Sequence, residues 1–395
     1  MIYFDNGATT YPKPPAVVRA VCSAVTRLGA NPGRSGHRMS LRAAETLFSC
    51  RQEVAALFGL QEPERVVFTQ NCTAALNTVI HGVLKQGDHV VISSLEHNAV
   101  VRPLEAMKRR GVDYSVAEVV EGDDEQTIRH FREKFRANTR LVICTHASNV
   151  FGIRLPVERI AALCHLNGIL FCLDAAQSAG VVPIDLRNSG MDFLCTAGHK
   201  GLYGPMGTGV LIINSATTPD SLIQGGTGSF SAEKAQPEVL PDKYESGTPN
   251  VAGIAGLREG VRFVRQRGAA GIEQYEMQLA RRLYNRLSRI ERVLLYTQPP
   301  SLGTHVPVVS FNIEGMDSEE VARLLDERFG IAVRAGLHCA PLAHQTMGTN
   351  TLGTVRAVVS VFNNAAQVDQ LTGAVNKIVK LNEKKVAIDS GSVLK

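Results

Sequence analysis

Two side chains in this sequence stand where they can grip one cofactor from opposite sides. Asp174 follows the apolar run from Ile169 to Leu173, and Lys200 follows Phe193-Leu194-Cys195 within Thr196-Ala197-Gly198-His199-Lys200-Gly201. They lie 26 residues apart, one β-α-β unit, so both can reach the carboxyl edge of a parallel sheet, where open α/β folds bind ligands. A lysine amine forms a Schiff base with an aldehyde. A carboxylate keeps a ring nitrogen protonated and makes the ring an electron sink. Taken alone, Asp174 reads equally as a helix cap and Lys200 as a solvated turn residue.

The surrounding motifs favour pyridoxal 5′-phosphate, whose phosphate dianion needs donors at a helix N-terminus. Thr69-Gln70-Asn71-Cys72-Thr73-Ala74-Ala75 follows a strand and opens a helix. Thr73 and Ala74 there offer amides and a hydroxyl to a phosphate, or Thr73 is only an N-cap. His199, beside Lys200, is a further donor. His97, in Ser94-Leu95-Glu96-His97-Asn98, offers a flat imidazole to stack on a pyridine ring, or is a structural histidine. Asn149 follows another strand and can hydrogen-bond the ring's phenolic oxygen or the substrate.

These groups need a scaffold that brings strand ends together. Val66–Thr69, Val90–Ser93, Leu141–Thr145, Ile169–Leu173, Phe193–Cys195 and Val210–Ile213 read as strands. Helical spacing over 126–136 and 157–167 lies between them. Apolar strands interleaved with helices predict an α/β fold with a parallel sheet covered on both faces. A polar stretch from Gly225 to Asn250 predicts a functional loop. Beyond it, a helical region to about 290, strands at Val306–Ile313 and Val355–Val361, and helices at 318–329 and 367–381 predict a smaller α+β domain. The expected division is a large domain over 15–255, a small domain from 1–14 and 256–385, and a frayed tail at 386–395.

Composition excludes several function classes. The net charge is +5 and aromatics make up 6% with no Trp, so neither a basic stripe nor a stacking platform for nucleic acid is expected. No apolar run reaches the roughly 18–20 residues of a membrane span, and residues 1–7 do not resemble a secretory leader. Eight cysteines without a C-x-x-C pair read as reduced thiols in a cytoplasmic protein, with no metal site.

At this point the sequence resembles a family: the class V aminotransferase group of fold-type I pyridoxal-phosphate enzymes, and within it the cysteine desulfurase and selenocysteine lyase branch. The matching stretches are Tyr3-Phe4-Asp5-Asn6-Gly7-Ala8-Thr9-Thr10, Leu95-Glu96-His97-Asn98, Ser148-Asn149, Asp174-Ala175-Ala176-Gln177-Ser178, Gly198-His199-Lys200-Gly201-Leu202-Tyr203-Gly204-Pro205, Gly247-Thr248-Pro249-Asn250, Arg334-Ala335-Gly336-Leu337-His338-Cys339-Ala340-Pro341 and Arg356. The resemblance implies a mainly parallel, seven-stranded-type sheet in the large domain. It implies that Lys200 holds the cofactor and moves the substrate's Cα proton, that Asp174 pairs with the pyridinium, and that Gln177 bonds the phenolic oxygen. His97 would stack on the ring and act as acid or base near the sulfur. Thr73 and His199 would bind phosphate. Thr248 would reach the phosphate of a second subunit, which implies a homodimer. Asn149 and Arg356 would hold the substrate carboxylate, a task suited to a planar guanidinium fork.

Cys339 sets the subtype. Between Gly336 and Pro341, with Arg334 and His338 nearby, it has the loop setting of a reactive thiol, or is an inert loop cysteine. The resemblance implies that its thiolate takes the sulfur of L-cysteine as a persulfide, releases L-alanine, and passes the sulfur to an acceptor protein; the short loop is of the second desulfurase group. Ala197 and Val358 depart from the family pattern, since relatives usually carry hydroxyls at both positions. Three alternatives stay open: a lyase acting on L-selenocysteine, an aminotransferase, which would not need Cys339, and a non-catalytic sulfur carrier that keeps only Cys339.

Overall fold

In the computed structural model, which describes residues 1–33 and 36–392 with side chains to Glu383, the apolar runs become strands and the periodic stretches helices. The strands are β1 (Ile2–Tyr3), β2 (Val66–Thr69), β3 (His89–Ser93), β4 (Asp113–Ala117), β5 (Thr139–Thr145), β6 (Leu170–Asp174), β7 (Phe193–Ala197), β8 (Gly209–Ile213), β9 (Val293–Leu295), β10 (Val308–Ile313), β11 (Ile331–Ala332) and β12 (Val355–Val358). The helices are α1 (Pro15–Arg27), α2 (Arg38–Leu57), α3 (Cys72–Val83), α4 (Asn98–Lys108), α5 (Asp124–Glu133), α6 (Val157–Leu166), α7 (Val251–Arg267), α8 (Ala269–Leu287), α9 (Ser318–Phe329), α10 (Pro341–Thr346) and α11 (Ala365–Ser392).

Two compact units result. The larger comprises 12–146 and 155–272. Its seven-stranded sheet has the order β2-β8-β7-β6-β5-β3-β4. Only β8 runs antiparallel to its neighbours β2 and β7; the other pairings are parallel. β5, β7 and β8 are buried almost throughout, as strands covered on both faces must be. Parallel registry sets Asp174 of β6 opposite Thr145 of β5 and Cys195 of β7.

The smaller unit comprises 1–11, 147–154 and 273–395. Its antiparallel sheet has the order β12-β10-β9, and β1 pairs in parallel with β11. Phe4, Phe311, Leu325, Val355, Leu371 and Val375 centre its core.

These boundaries differ from the expected ones. The first break falls after Tyr11 rather than 14, and the last after Ile272 rather than 255, so α7 belongs to the large unit. Residues 147–154, expected in the large domain, belong to the small unit. There Ser310 Oγ donates to Val150 O at 2.5 Å and Arg154 N donates to Thr304 O at 2.8 Å. α11 continues to Ser392, where a frayed tail was expected from 386; 393–395 lie outside the described residues. α5 begins two residues before its expected start because Asp123 caps it, accepting from Gln126 N at 2.8 Å. No helix among the described residues is long and apolar enough to cross a membrane.

Candidate active site

In the large unit, Asp174 stands at the end of β6 and Lys200 follows the end of β7. Asp174 ends β6 and is 4% exposed. Its Oδ1 accepts from Ala176 N at 2.9 Å and from Cys72 Sγ at 3.5 Å. Burial pushes its carboxyl up, while these two donors and the Lys200 ammonium pull it back down. Lys200 thus lies within electrostatic reach of Asp174, three residues past the end of β7. Its turn is closed by Tyr203 N donating to Lys200 O and Gly204 N to Gly198 O, both at 2.8 Å. Gly201 must be glycine here, since a Cβ would stand 2.4 Å from Ala179 O.

His199 is half-buried, and Lys13 Nζ donates to its carbonyl at 2.6 Å. Burial, with Lys200 and Lys13 nearby, pushes its imidazole down to about 4, so it stays neutral. Gln177 is half-buried in the turn after Asp174. Thr196 cannot replace the hydroxyl missing at Ala197, because its own hydroxyl donates to Ala175 O at 3.3 Å.

The N-terminus of α3 differs from one expectation. Asn71, not Thr73, is the N-cap, and its Oδ1 accepts from Ala74 N at 2.9 Å. The Ala74 amide, expected on a phosphate, is thus already engaged. Thr73, in the first turn, is exposed, with an amide and hydroxyl that no described group accepts. Thr248 is also exposed, accepts from Asn31 Nδ2 at 3.3 Å, and lines a cavity of about 440 Å³ with Thr69, Gln70 and Ala74 of the same chain.

His97 has the structural job that the plainer reading gave it. It caps α4, with Nδ1 accepting from Ala99 N at 3.0 Å. That bond fixes Nδ1 as the acceptor, so the neutral ring carries its proton on Nε2. Its neighbour Glu96 is fully buried. Glu96 Oε1 accepts from Thr145 N at 2.7 Å and Ser93 Oγ at 2.5 Å, while Oε2 has no partner. Burial pushes this carboxyl up to about 8 against those hydrogen bonds. Neither Glu96 nor Cys72 has a task legible in the sequence, because Glu96 bonds Thr145 and Cys72 bonds Asp174, 49 and 102 residues away.

In the small unit, Arg356 is 1% exposed. Its Nη1 donates to Asn149 O at 2.7 Å, its Nη2 to Asp5 Oδ1 at 3.0 Å, and its Nε has no partner. Gly7 roofs the group: a Cβ there would lie 2.9 Å from a Val358 methyl and 3.1 Å from Arg356 Cζ. Val358, where relatives usually carry a hydroxyl, therefore packs as a wall beside the guanidinium. Asn149, expected on cofactor or substrate, donates Nδ2 to His338 O at 2.8 Å.

Cys339 and Cys22 are exposed, while the other six cysteines are buried. Arg334 Nη2 lies 3.9 Å from Cys339 Sγ. His338 and Cys339 have φ of 49° and 59°, the left-handed region that non-glycine residues enter at a cost. The bond from His338 Nε2 to Thr354 O at 2.9 Å, with that from Asn149, holds the pair there.

The donor set of the large unit fits pyridoxal phosphate: a buried carboxylate for a ring N–H, an amine in its electrostatic reach for an aldehyde, and a helix N-terminus with an open amide for a phosphate. Residues 2–371 match the family profile Aminotransferase class-V. A probable cysteine desulfurase of Methanothermobacter thermautotrophicus is 34% identical over 95% of this chain and 94% of that protein. One from Pyrococcus abyssi is 35% identical over 96% and 94%. A solved apo structure of the cysteine desulfurase of Thermococcus onnurineus, 34% identical, superposes with a TM-score of 0.86 over 96% of this chain and 94% of that one.

Proposed function

The chain belongs to the aminotransferase class-V family, and from that premise we propose that it is a pyridoxal-phosphate-dependent cysteine desulfurase. The observation that carries this reading is the buried Asp174 at the end of β6, with Lys200 in the turn that follows the neighbouring parallel strand β7 and its charge acting on that carboxyl. Bound through Lys200, pyridoxal phosphate would supply a sink for the electrons released when the substrate's Cα loses its proton. Lys200 moves that proton. Asp174 would keep the ring nitrogen protonated, Gln177 would bond the phenolic oxygen, and His97 would stack on the ring. Thr73 and His199 would bind the phosphate, His199 as a neutral hydrogen-bond donor.

Arg356 orients the substrate carboxylate, with Asn149 fixing the guanidinium through its carbonyl. The Cys339 thiolate attacks the sulfur of L-cysteine. A sulfur–sulfur bond forms as the substrate's carbon–sulfur bond breaks, and that bond's electron pair stays with the carbon fragment, which takes a proton and leaves as L-alanine. The Arg334 guanidinium, 3.9 Å from the thiol, is a cation that favours the thiolate. The persulfide then passes to an acceptor protein. We place the protein in the cytoplasm, in keeping with its eight free thiols. We also infer a homodimer in which Thr248 reaches the partner's phosphate.

The test is an absorbance spectrum of purified protein before and after L-cysteine, with sulfide and alanine assayed in the same tube under reductant. A band that shifts, with sulfide and alanine in equal amounts, is the expected result. Cys339→Ser should keep the band and lose sulfide release. A shifting band without sulfide redirects the reading to an aminotransferase or a selenocysteine lyase, and no band after added cofactor overturns it.

A further inference from the structure

We propose that Cys72 is a positioning residue whose thiol sets the orientation of the Asp174 carboxylate toward the cofactor's ring nitrogen; this rests on the cofactor reading above. Cys72 is the first residue of α3, and its Sγ lies 3.5 Å from Asp174 Oδ1. Sulfur is a large, soft donor for which this distance is an ordinary hydrogen bond. Burial holds the thiol well above its usual range, so at neutral pH it keeps its proton and donates it.

The consequence lies in how donors divide between the two carboxylate oxygens. Ala176 N and Cys72 Sγ both address Oδ1, and no described group donates to Oδ2. Two donors on one oxygen fix the rotation of the carboxylate and leave the other oxygen to a ring N–H. They also favour the ionised form of a carboxyl that burial pushes up. A neutral Asp174 would not hold the ring nitrogen protonated.

The same residue joins the two ends of the binding surface. Cys72 immediately precedes Thr73, whose amide and hydroxyl stand open at the α3 terminus. The bond from Cys72 to Asp174 therefore fixes the distance between the group that meets the ring nitrogen and the group that meets the phosphate. Gly209 supports this end of α3 from behind, where a Cβ would come within 2.4 Å of Asn71 C.

The test uses full-length protein stripped of and reloaded with pyridoxal phosphate. Wild type is compared with Cys72→Ala, Cys72→Val, which fills the space without a donor, and Cys72→Ser, which restores a donor. The readouts are the cofactor's dissociation constant and the pH midpoint of its absorbance band, with the melting temperature of each apoprotein as a folding control. We expect Cys72→Ala and Cys72→Val to bind about tenfold more weakly, the effect of one donor to a charged group, with a displaced pH midpoint. Cys72→Ser should return both values to within about twofold of wild type. If the Ala and Val variants hold their band with unchanged midpoint and affinity, or if Ser fails to rescue a folded variant, the inference is overturned. If wild type itself shows no band, the cofactor reading fails and takes the inference with it.

Discussion

Asp5 Oδ1 lies 3.0 Å from Arg356 Nη2, and this pair joins the N-terminal segment to β12. The guanidinium is almost wholly buried, whereas the Asp5 side chain keeps 22% of its surface. Removing one partner of a buried pair leaves the other uncompensated, at a cost of roughly 3–5 kcal/mol. Because Asp5 is partly wet, Asp5→Ala should fall at the low end, about 3 kcal/mol, in a urea titration. A loss under 1 kcal/mol would show that water already compensates the guanidinium.

Arg356→Lys keeps the charge but loses the planar fork. The expected effect is a rise in KM for L-cysteine of about 10–100-fold, equivalent to one or two charged hydrogen bonds, with a smaller change in kcat. An unchanged KM would remove Arg356 from carboxylate binding.

Lys200 should be the site of covalent attachment. Borohydride treatment of loaded protein should mark the peptide that contains Lys200 and no other. Lys200→Ala should lose that mark and slow alanine formation by about 10²–10⁴-fold, the range for losing one acid–base group. A mark on another lysine would reassign the site.

The left-handed backbone at Cys339 makes a stability prediction separate from activity. Cys339 already carries the cost of a Cβ in that region, about 1–2 kcal/mol; a β-branched side chain is more restricted still, whereas glycine enters it freely. Cys339→Val should therefore be less stable than wild type by up to about 1 kcal/mol, while Cys339→Gly should match wild type to within about 0.5 kcal/mol. Both should abolish sulfide release. Equal stability of the two variants would mean that the loop relaxes out of this conformation.

Glu96 gives a pH signature. Its carboxyl titrates near 4.5 when unfolded and near 8 when folded, so between these values the folded chain holds the extra proton. Stability from this group is complete below about 4.5 and is lost as pH rises toward 8. His199 and His338, both held low by burial, act below their unfolded value of 6.5. Between pH 7 and 8 the Glu96 contribution therefore stands apart from theirs. The stability of wild type relative to Glu96→Gln should fall with rising pH across that interval, by of order 1 kcal/mol. Parallel profiles for the two proteins would show that Glu96 is ionised throughout.

Much of the large unit was legible because its strands are apolar runs that a two-sided cover demands. β4 was not, since Asp113-Tyr114-Ser115-Val116-Ala117 lies at the sheet edge, pairs only with β3 and is half exposed. β1 and β11, two residues each, are too short to leave a pattern. The transfer of residues 147–154 to the small unit rests on bonds from Ser310 and Arg356 and on one from Arg154 N to Thr304 O, which have no local signature. Asp174 and Lys200 stand out as candidates because they follow apolar strands, and Cys339 because it lies in a loop between Gly336 and Pro341. The cap is Asn71 rather than Thr73, for which capping was one of two open readings, since both residue types cap helices and only backbone geometry separates them. The pairing of Cys72 with Asp174 joins positions 102 residues apart, which no spacing rule reaches.

The parallel pairing of Ile2 with Ile331 carries a consequence for biosynthesis. At roughly 5–20 residues per second, the first strand emerges from the ribosome about 15–65 s before its partner is made. During that interval Ile2, Tyr3 and Phe4 have no sheet to join, and Asp5 waits for the arginine that will neutralise it. The large unit can mature first, while the smaller one assembles only once β11 has been made. Truncation shortly before position 331 would therefore leave the amino-terminal segment stranded, a substrate for chaperones or proteases rather than part of a folded body.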